Sequence, residues 1–214
     1  MIKTLSIPYI GEIPKGKASE LVIKKVDYSP KAESFRIVRS NIDFMLKGNN
    51  SDCKTIFVTS TKSQEGKSHT SINLASSLSF SEKKVLLIET DIRVPKITKY
   101  LKMNSTIGLT DFISDTSLKL NDVITKQQSN TFLDIIPSGT IPPNPSELLM
   151  SERVKFLFET VKNDYDYIIV DTAAVGLVTD TLLIGKNADM FIYVVSANNI
   201  DARELHIAQT LYDE

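Results

Sequence analysis

The residues with the most chemical potential lie in one octapeptide, Thr61-Lys62-Ser63-Gln64-Glu65-Gly66-Lys67-Ser68, followed by His69. It stands between an apolar run and an amphipathic one, the setting of a phosphate-binding loop between a strand and a helix. In such a loop successive backbone N–H groups curl round phosphates, and the helix N-terminus adds partial positive charge. Gly66 then admits close backbone approach, Lys67 reaches the β- and γ-phosphates, and the Ser68 hydroxyl coordinates Mg²⁺. Its first position is Thr61 and not glycine, and a lone Gly-Lys-Ser is as readily an incidental strand-turn-helix corner.

Three acids change that balance. Glu89 and Asp91 follow the apolar run Val85-Leu86-Leu87-Ile88, and Asp171 follows Tyr167-Ile168-Ile169-Val170. Magnesium-phosphate chemistry needs carboxylates to hold the metal and to handle the nucleophile's proton. One strand-terminal acid is usually a turn or helix cap. Two apolar strands, each tipped by acid downstream of the loop, point to a site. The expected metal ligands are Ser68, Asp171 and Glu89, and the expected catalytic groups are Lys67, Asp91, Glu89 and Asp171. Asp91 or Glu89 would take the nucleophile's proton.

The elements that must position these groups follow from periodicity. Ser29-Pro30 opens a helix to about Leu46, with Phe35, Val38, Ile42 and Met45 on one face. Thr55–Thr59 is the strand before the loop, and Lys67–Ser79 the helix after it. Further strands are expected at 85–88, 132–136, 167–170 and 190–195, and further helices at 96–101, 147–162, 180–186 and from Ala202 onward. Residues 137–145 carry four prolines and a glycine and read as a loop. Strands apolar on both faces, alternating with helices, give an α/β fold with a mainly parallel sheet covered on both sides. Residues 1–29 read as an arm or linker and 30–214 as one domain.

Composition narrows the class. Its 25 basic and 26 acidic residues nearly cancel, which disfavours a bulk nucleic-acid binder or a polybasic anchor. The single cysteine, Cys53, excludes an internal disulfide and suits a reducing compartment. No apolar run reaches the ~20 residues of a membrane span. His206 has no partner acids at a metal-binding spacing.

The motifs together resemble the bacterial tyrosine kinase family, whose kinase domain is similar to P-loop ATPases of the MinD and ParA type. The resemblance covers roughly residues 30–214, and weakly Ile10–Pro14. It rests on Thr61–Ser68, on the acid-x-Asp-x-Arg run through Arg93 with Pro95 beyond it, on Ile168–Asp171 and on Pro142-Pro143-Asn144-Pro145-Ser146-Glu147-Leu148-Leu149. It also rests on Glu33, Arg36 and Arg39, a Glu-x-x-Arg-x-x-Arg match on an early helix. The resemblance implies ATP and Mg²⁺ as cofactors, with Thr61 to Ser68 and His69 lining the nucleotide. It implies transfer of the γ-phosphoryl group to tyrosines of a neighbouring subunit, in ring-like oligomers joined through Glu33, Arg36 and Arg39. It further implies control of capsule or exopolysaccharide export with a membrane-spanning co-polymerase region, in cis or in trans, at the cytoplasmic side of the membrane. Ile7–Pro14 looks like the linker after such a region.

Against the family pattern, Glu89 replaces Asp, and Ser63-Gln64 replace Pro-Gly, so Gln64 must adopt a backbone angle that favours glycine. Ala173-Ala174 replace two prolines. The seven tyrosines are scattered with no terminal cluster, and the expectation is a fragment lacking the tail substrate. Lys62 is read either as a solvated loop lysine or as one reaching a phosphate across a dimer. The rivals to a kinase are a MinD/ParA-type ATPase switch using water as nucleophile, and a non-catalytic nucleotide-binding regulator.

Overall fold

A computed structural model describes residues 6–15, 22–48, 51–199 and 202–213. The remaining parts of the N-terminal arm, residues 1–5 and 16–21, lie outside it. The described chain runs α1 (Pro30–Met45), β1 (Lys54–Ser60), α2 (Lys67–Ser79), β2 (Val85–Glu89), α3 (Ile97–Leu101), α4 (Leu109–Ser114), α5 (Leu120–Val123), β3 (Thr125–Lys126), β4 (Leu133–Ile136), α6 (Pro145–Leu149), α7 (Glu152–Val161), β5 (Tyr167–Asp171), α8 (Asp180–Ile184), β6 (Met190–Val194) and α9 (Ala202–Asp213). The sheet order is β3-β4-β2-β5-β1-β6, parallel except for the edge pair β3–β4.

β1, β2 and β5 are buried almost throughout because helices cover both faces, which is why their sequences are continuous apolar runs and not alternating ones. One face holds Phe35, Ile42, Ile56, Leu74, Leu87 and Ile169 under α1 and α2; the other holds Phe57, Leu86, Ile88, Phe112, Phe158 and Ile168. Phe57 stacks on Phe158 with ring centroids 5.9 Å apart. Cys53 is buried, and burial pushes its thiol up to about 11, so it is an inert filler.

Several expectations need correction. Met45 is 42% exposed and off the buried face of α1. The helix expected over 147–162 is two helices, because Ser151 interrupts it and caps the second through its hydroxyl, which accepts from Arg153 N–H. Two short helices, α4 and α5, and the antiparallel strand β3 occupy 109–126, where polar residues masked any period.

The described arm is tied to the domain. Ile10 and Ile13 pack on the α1–α2 core, Ile23 is buried, and Asn41 donates to the Ile10 carbonyl at 2.9 Å. Deeper in, Asn73 Oδ1 on α2 accepts the Ile23 N–H at 2.8 Å, and its amide donates to the His69 carbonyl at 2.7 Å. Replacing Asn73 strands a buried donor. Asn73→Ala is expected to lower unfolding free energy by about 1–3 kcal/mol in denaturant titration.

Candidate active site

β1 delivers the chain into the loop and α2 begins at Lys67, so the loop is the only connection between a buried strand and a buried helix. Gly66 precedes α2 at φ +101°, a conformation that L side chains rarely adopt. Gln64 is at φ +69°, the angle its position demands of a residue poorly suited to it. The loop is braced from outside: Lys62 N–H donates to Glu65 Oε2 at 2.8 Å, and the Ser60 hydroxyl to the Lys62 carbonyl at 2.6 Å. Thr61 shares a short hydrogen bond with Tyr193 of β6. Beyond β5 the chain lies against the loop, with Val175 N–H and Gly176 N–H donating to the carbonyls of Ser60 and Thr61. A Cβ on Gly176 would sit 2.5 Å from the Thr61 oxygen, so this contact requires glycine.

Neighbouring strands bring the acids together. Glu89 and Asp171 are register partners, and Thr90 and Asp91 N–H groups both donate to the Asp171 carbonyl. Asp171 is fully buried; its Oδ1 accepts from the Ser71 hydroxyl at 3.0 Å and its Oδ2 has no partner. Burial lifts this carboxyl to about 7, with the charges of Glu89 and Asp91 adding to the rise and the hydroxyls of Ser68 and Ser71 opposing it. Asp91 is also raised by burial, offset by the Val94 N–H on its Oδ1 and by the charges of Lys67 and Lys96. Buried Lys67 and Ser68, Asp91 and Asp171 thus meet at one end of the sheet. An unpartnered carboxylate oxygen, a buried ammonium and a loop of backbone donors fit a metal-bound polyphosphate.

Glu89 is placed differently from the expected ligand and base. Its Oε1 accepts from Lys96 N–H and Ile97 N–H, and its Oε2 from Ser138 N–H at 3.1 Å. The extra methylene, worth about 1.5 Å of reach, carries the carboxylate past the strand tip to three backbone donors. It fastens α3 and the loop after β4 to β2. Arg93, the end of the acid-x-Asp-x-Arg run, is likewise engaged: its Nε donates to Asp180 Oδ2 at 2.7 Å and its terminal nitrogen to Asp180 Oδ1 and the Ser146 hydroxyl at 3.1 Å. Ser146 in turn donates to Asp180 Oδ1 at 2.8 Å. This clamp joins the loop after β2 to α6 and α8. Ser71, Gly176, Asp180 and Tyr193 were not singled out from the sequence, and Ser146 only as part of the Pro142–Leu149 motif; Ser71 carried a signal, four residues after Lys67 on the same helical face.

His69 lines the site beside the loop, and burial lowers its imidazole toward the neutral form. Exposed Ser63 and Lys62, with half-buried Glu65, form the outer rim. On α1, Glu33 pairs with Arg36, which also donates to the Asp27 carbonyl at 2.6 Å. Arg39 does not join them; it donates to the Ser77 carbonyl at 2.7 Å, near the C-terminus of α2. The loop separates two cavities. A groove of about 1630 Å³ lies between the arm, α1, β6 and α9, and a pocket of about 440 Å³ lies toward α3.

Two changes test this arrangement. Gln64→Gly relieves left-handed strain and is expected to raise stability on the order of 1 kcal/mol, read as a rise in Tm. Arg93→Ala strands the buried Asp180 carboxylate and is expected to cost about 1–3 kcal/mol, most of it recovered by adding Asp180→Asn in a double-mutant cycle.

The AAA domain family matches residues 53–205. Tyrosine-protein kinase CpsD of Streptococcus agalactiae is 38% identical over 85% of this chain and 76% of its own length. The chimerical protein CapA2B2 superposes with a TM-score of 0.88 at 32% identity, over 98% of this chain and 89% of that one. The septum site-determining protein MinD of Pyrococcus horikoshii, solved with Mg-ADP, shares the fold at a TM-score of 0.62 and 22% identity, over 75% of this chain and 65% of that one. On these matches and on the loop and paired acids described above, the chain belongs to the bacterial tyrosine-protein kinases, a branch of the MinD-like P-loop fold.

Proposed function

We propose that this kinase binds ATP with Mg²⁺ over Gly66–Ser68 and phosphorylates tyrosines on a neighbouring copy. The observation that carries this reading is the buried Asp171 oxygen without a partner, beside the Ser68 hydroxyl and next to Asp91, on which the charge of Lys67 acts. Ser68 and Asp171 would hold Mg²⁺, and Thr61 to His69 would wrap the nucleotide, its nucleoside directed to the large groove beside β6. When bound, Mg²⁺ neutralises the β- and γ-phosphate oxygens and polarises phosphorus. Lys67 orients and neutralises the phosphates. The tyrosine oxygen bonds to γ-phosphorus as the bond to the β,γ-bridging oxygen breaks; ADP leaves, and the phenol proton passes to Asp91. Burial favours proton uptake there, and a phenol of pKa ~10 needs a nearby base and metal. Glu89 supports the site by fixing α3 and not by touching the metal.

Under this reading residues 30–214 form the kinase domain and 1–29 its arm. Exposed Glu33 and half-buried Arg36 offer a polar stripe to a second copy, while Arg39 steadies α2 behind it. The CpsD and CapA2B2 relatives support a role in capsule or exopolysaccharide synthesis alongside a membrane-spanning co-polymerase region, at the cytoplasmic face. No described helix is long and apolar enough to cross a membrane.

The test is incubation with Mg-ATP and a tyrosine acceptor peptide, read by phosphotyrosine blotting and by ADP release. Asp91→Asn is expected to lower kcat about 10²–10⁴-fold with ATP affinity retained. A smaller loss with Glu89→Gln than with Asp91→Asn is expected. ADP release without phosphotyrosine would contradict the assignment of tyrosine as nucleophile.

A further inference from the structure

The smaller cavity has a wall that does not belong to the loop. Besides Gln64, Gly66, Lys67, Ser68 and His69 of the loop, it is lined by Lys96, Lys99 and Tyr100. These three come from α3 and the residue before it, the segment that Glu89 fastens to β2 through Lys96 N–H and Ile97 N–H. Lys96 is half-buried and Lys99 exposed. Neither ammonium is in a salt bridge with a described residue, whereas the nearby Arg93 is committed to Asp180. The chain as a whole is nearly neutral, so this pair is a local concentration of positive charge and not part of a basic surface.

A magnesium-bound triphosphate is already matched by the loop amides, by Lys67 and by the metal. Two further cations, Lys96 and Lys99, line the smaller cavity and not the large groove, and are additional to that set. They line the same cavity as Lys67 and Ser68, so an acceptor brought to the γ-phosphorus there would meet them. We propose that Lys96 and Lys99 form an acceptor subsite selecting tyrosines flanked by negative charge, whether acidic side chains or phosphotyrosines already made. Ammonium groups recognise such charges as point cations, without the bidentate geometry an arginine would impose. Tyr100 supplies a ring wall beside them. The inference rests on the reading of the site as a tyrosine phosphotransferase, and deepens it by naming the substrate class. It implies that each phosphorylation on a multi-tyrosine segment favours the next.

The test is a peptide series around one tyrosine with flanking Glu, phosphotyrosine, Gln or Lys, assayed with the whole chain and Mg-ATP. The expected result is a kcat/KM about 10-fold or more higher for the Glu and phosphotyrosine peptides than for the Gln peptide, weakening with salt. The double change Lys96→Ala with Lys99→Ala should bring that ratio close to one, and Lys99→Glu should shift preference toward the Lys peptide. The KM for ATP should change little. Equal kcat/KM across the series, or a ratio unmoved by the substitutions, overturns the subsite while leaving the kinase reading intact. A large rise in the KM for ATP in the double variant also overturns it, by assigning the lysines to the nucleotide. Turnover of ATP with no peptide phosphorylated would overturn both readings.

Discussion

A buried carboxyl group at the tip of a central strand organises this molecule. Asp171 sits at the end of β5, wholly enclosed, with one oxygen held by Ser71 and the other unpartnered. Such a group is costly unless something charged completes it. Its elevation to about 7 expresses that cost. Unfolded, the group ionises near 3.8; folded, it keeps its proton to about 7. Between those values the folded chain binds more protons, so the stability of the empty protein falls as pH rises across that window. Under the proposed function, a cation held by Ser68 and Asp171 would offset that penalty and couple metal and nucleotide binding to the stability of the sheet end.

The rest of the fold serves that position. β5 lies between β1 and β2, so the loop after β1 and the acids after β2 meet Asp171 at one edge. Two outer fasteners hold the edge: Glu89 ties β2 to α3 and the loop after β4, and Arg93 ties the loop after β2 to α6 and α8. The loop itself is strained at Gln64 and braced by Tyr193 and Gly176. Hydrogen bonds and close contacts therefore brace the loop from several sides, as electrostatic preorganisation would require of a phosphate-binding loop.

Much of this was legible in the residue string. Continuous apolar runs located five strands, and the acids at two of their tips come together at the carboxyl edge, where parallel sheets place ligands. The positive φ at Gln64 was readable from its place in the loop. Other features were not. The fate of Glu89 depended on where three backbone N–H groups lie, a tertiary fact that residue type does not encode. Arg39 was readable as part of a stripe with Glu33, but whether it pairs along α1 or reaches Ser77 depends on how closely α2 packs. Asp180 and Ser146, distant in sequence from Arg93, gave no local signal of their clamp. The short elements over 109–126 fell below the length at which periodicity is informative.

The central proposal, that Asp171 helps hold a metal-bound nucleotide, is tested most directly by titrating its carboxyl carbon by NMR with and without Mg²⁺ and a non-hydrolysable ATP analogue. A midpoint near 7 is expected without ligand, displaced strongly downward when metal and nucleotide are both present. A midpoint that stays in place on saturation would contradict it, showing that the buried carboxyl takes no part in holding the metal.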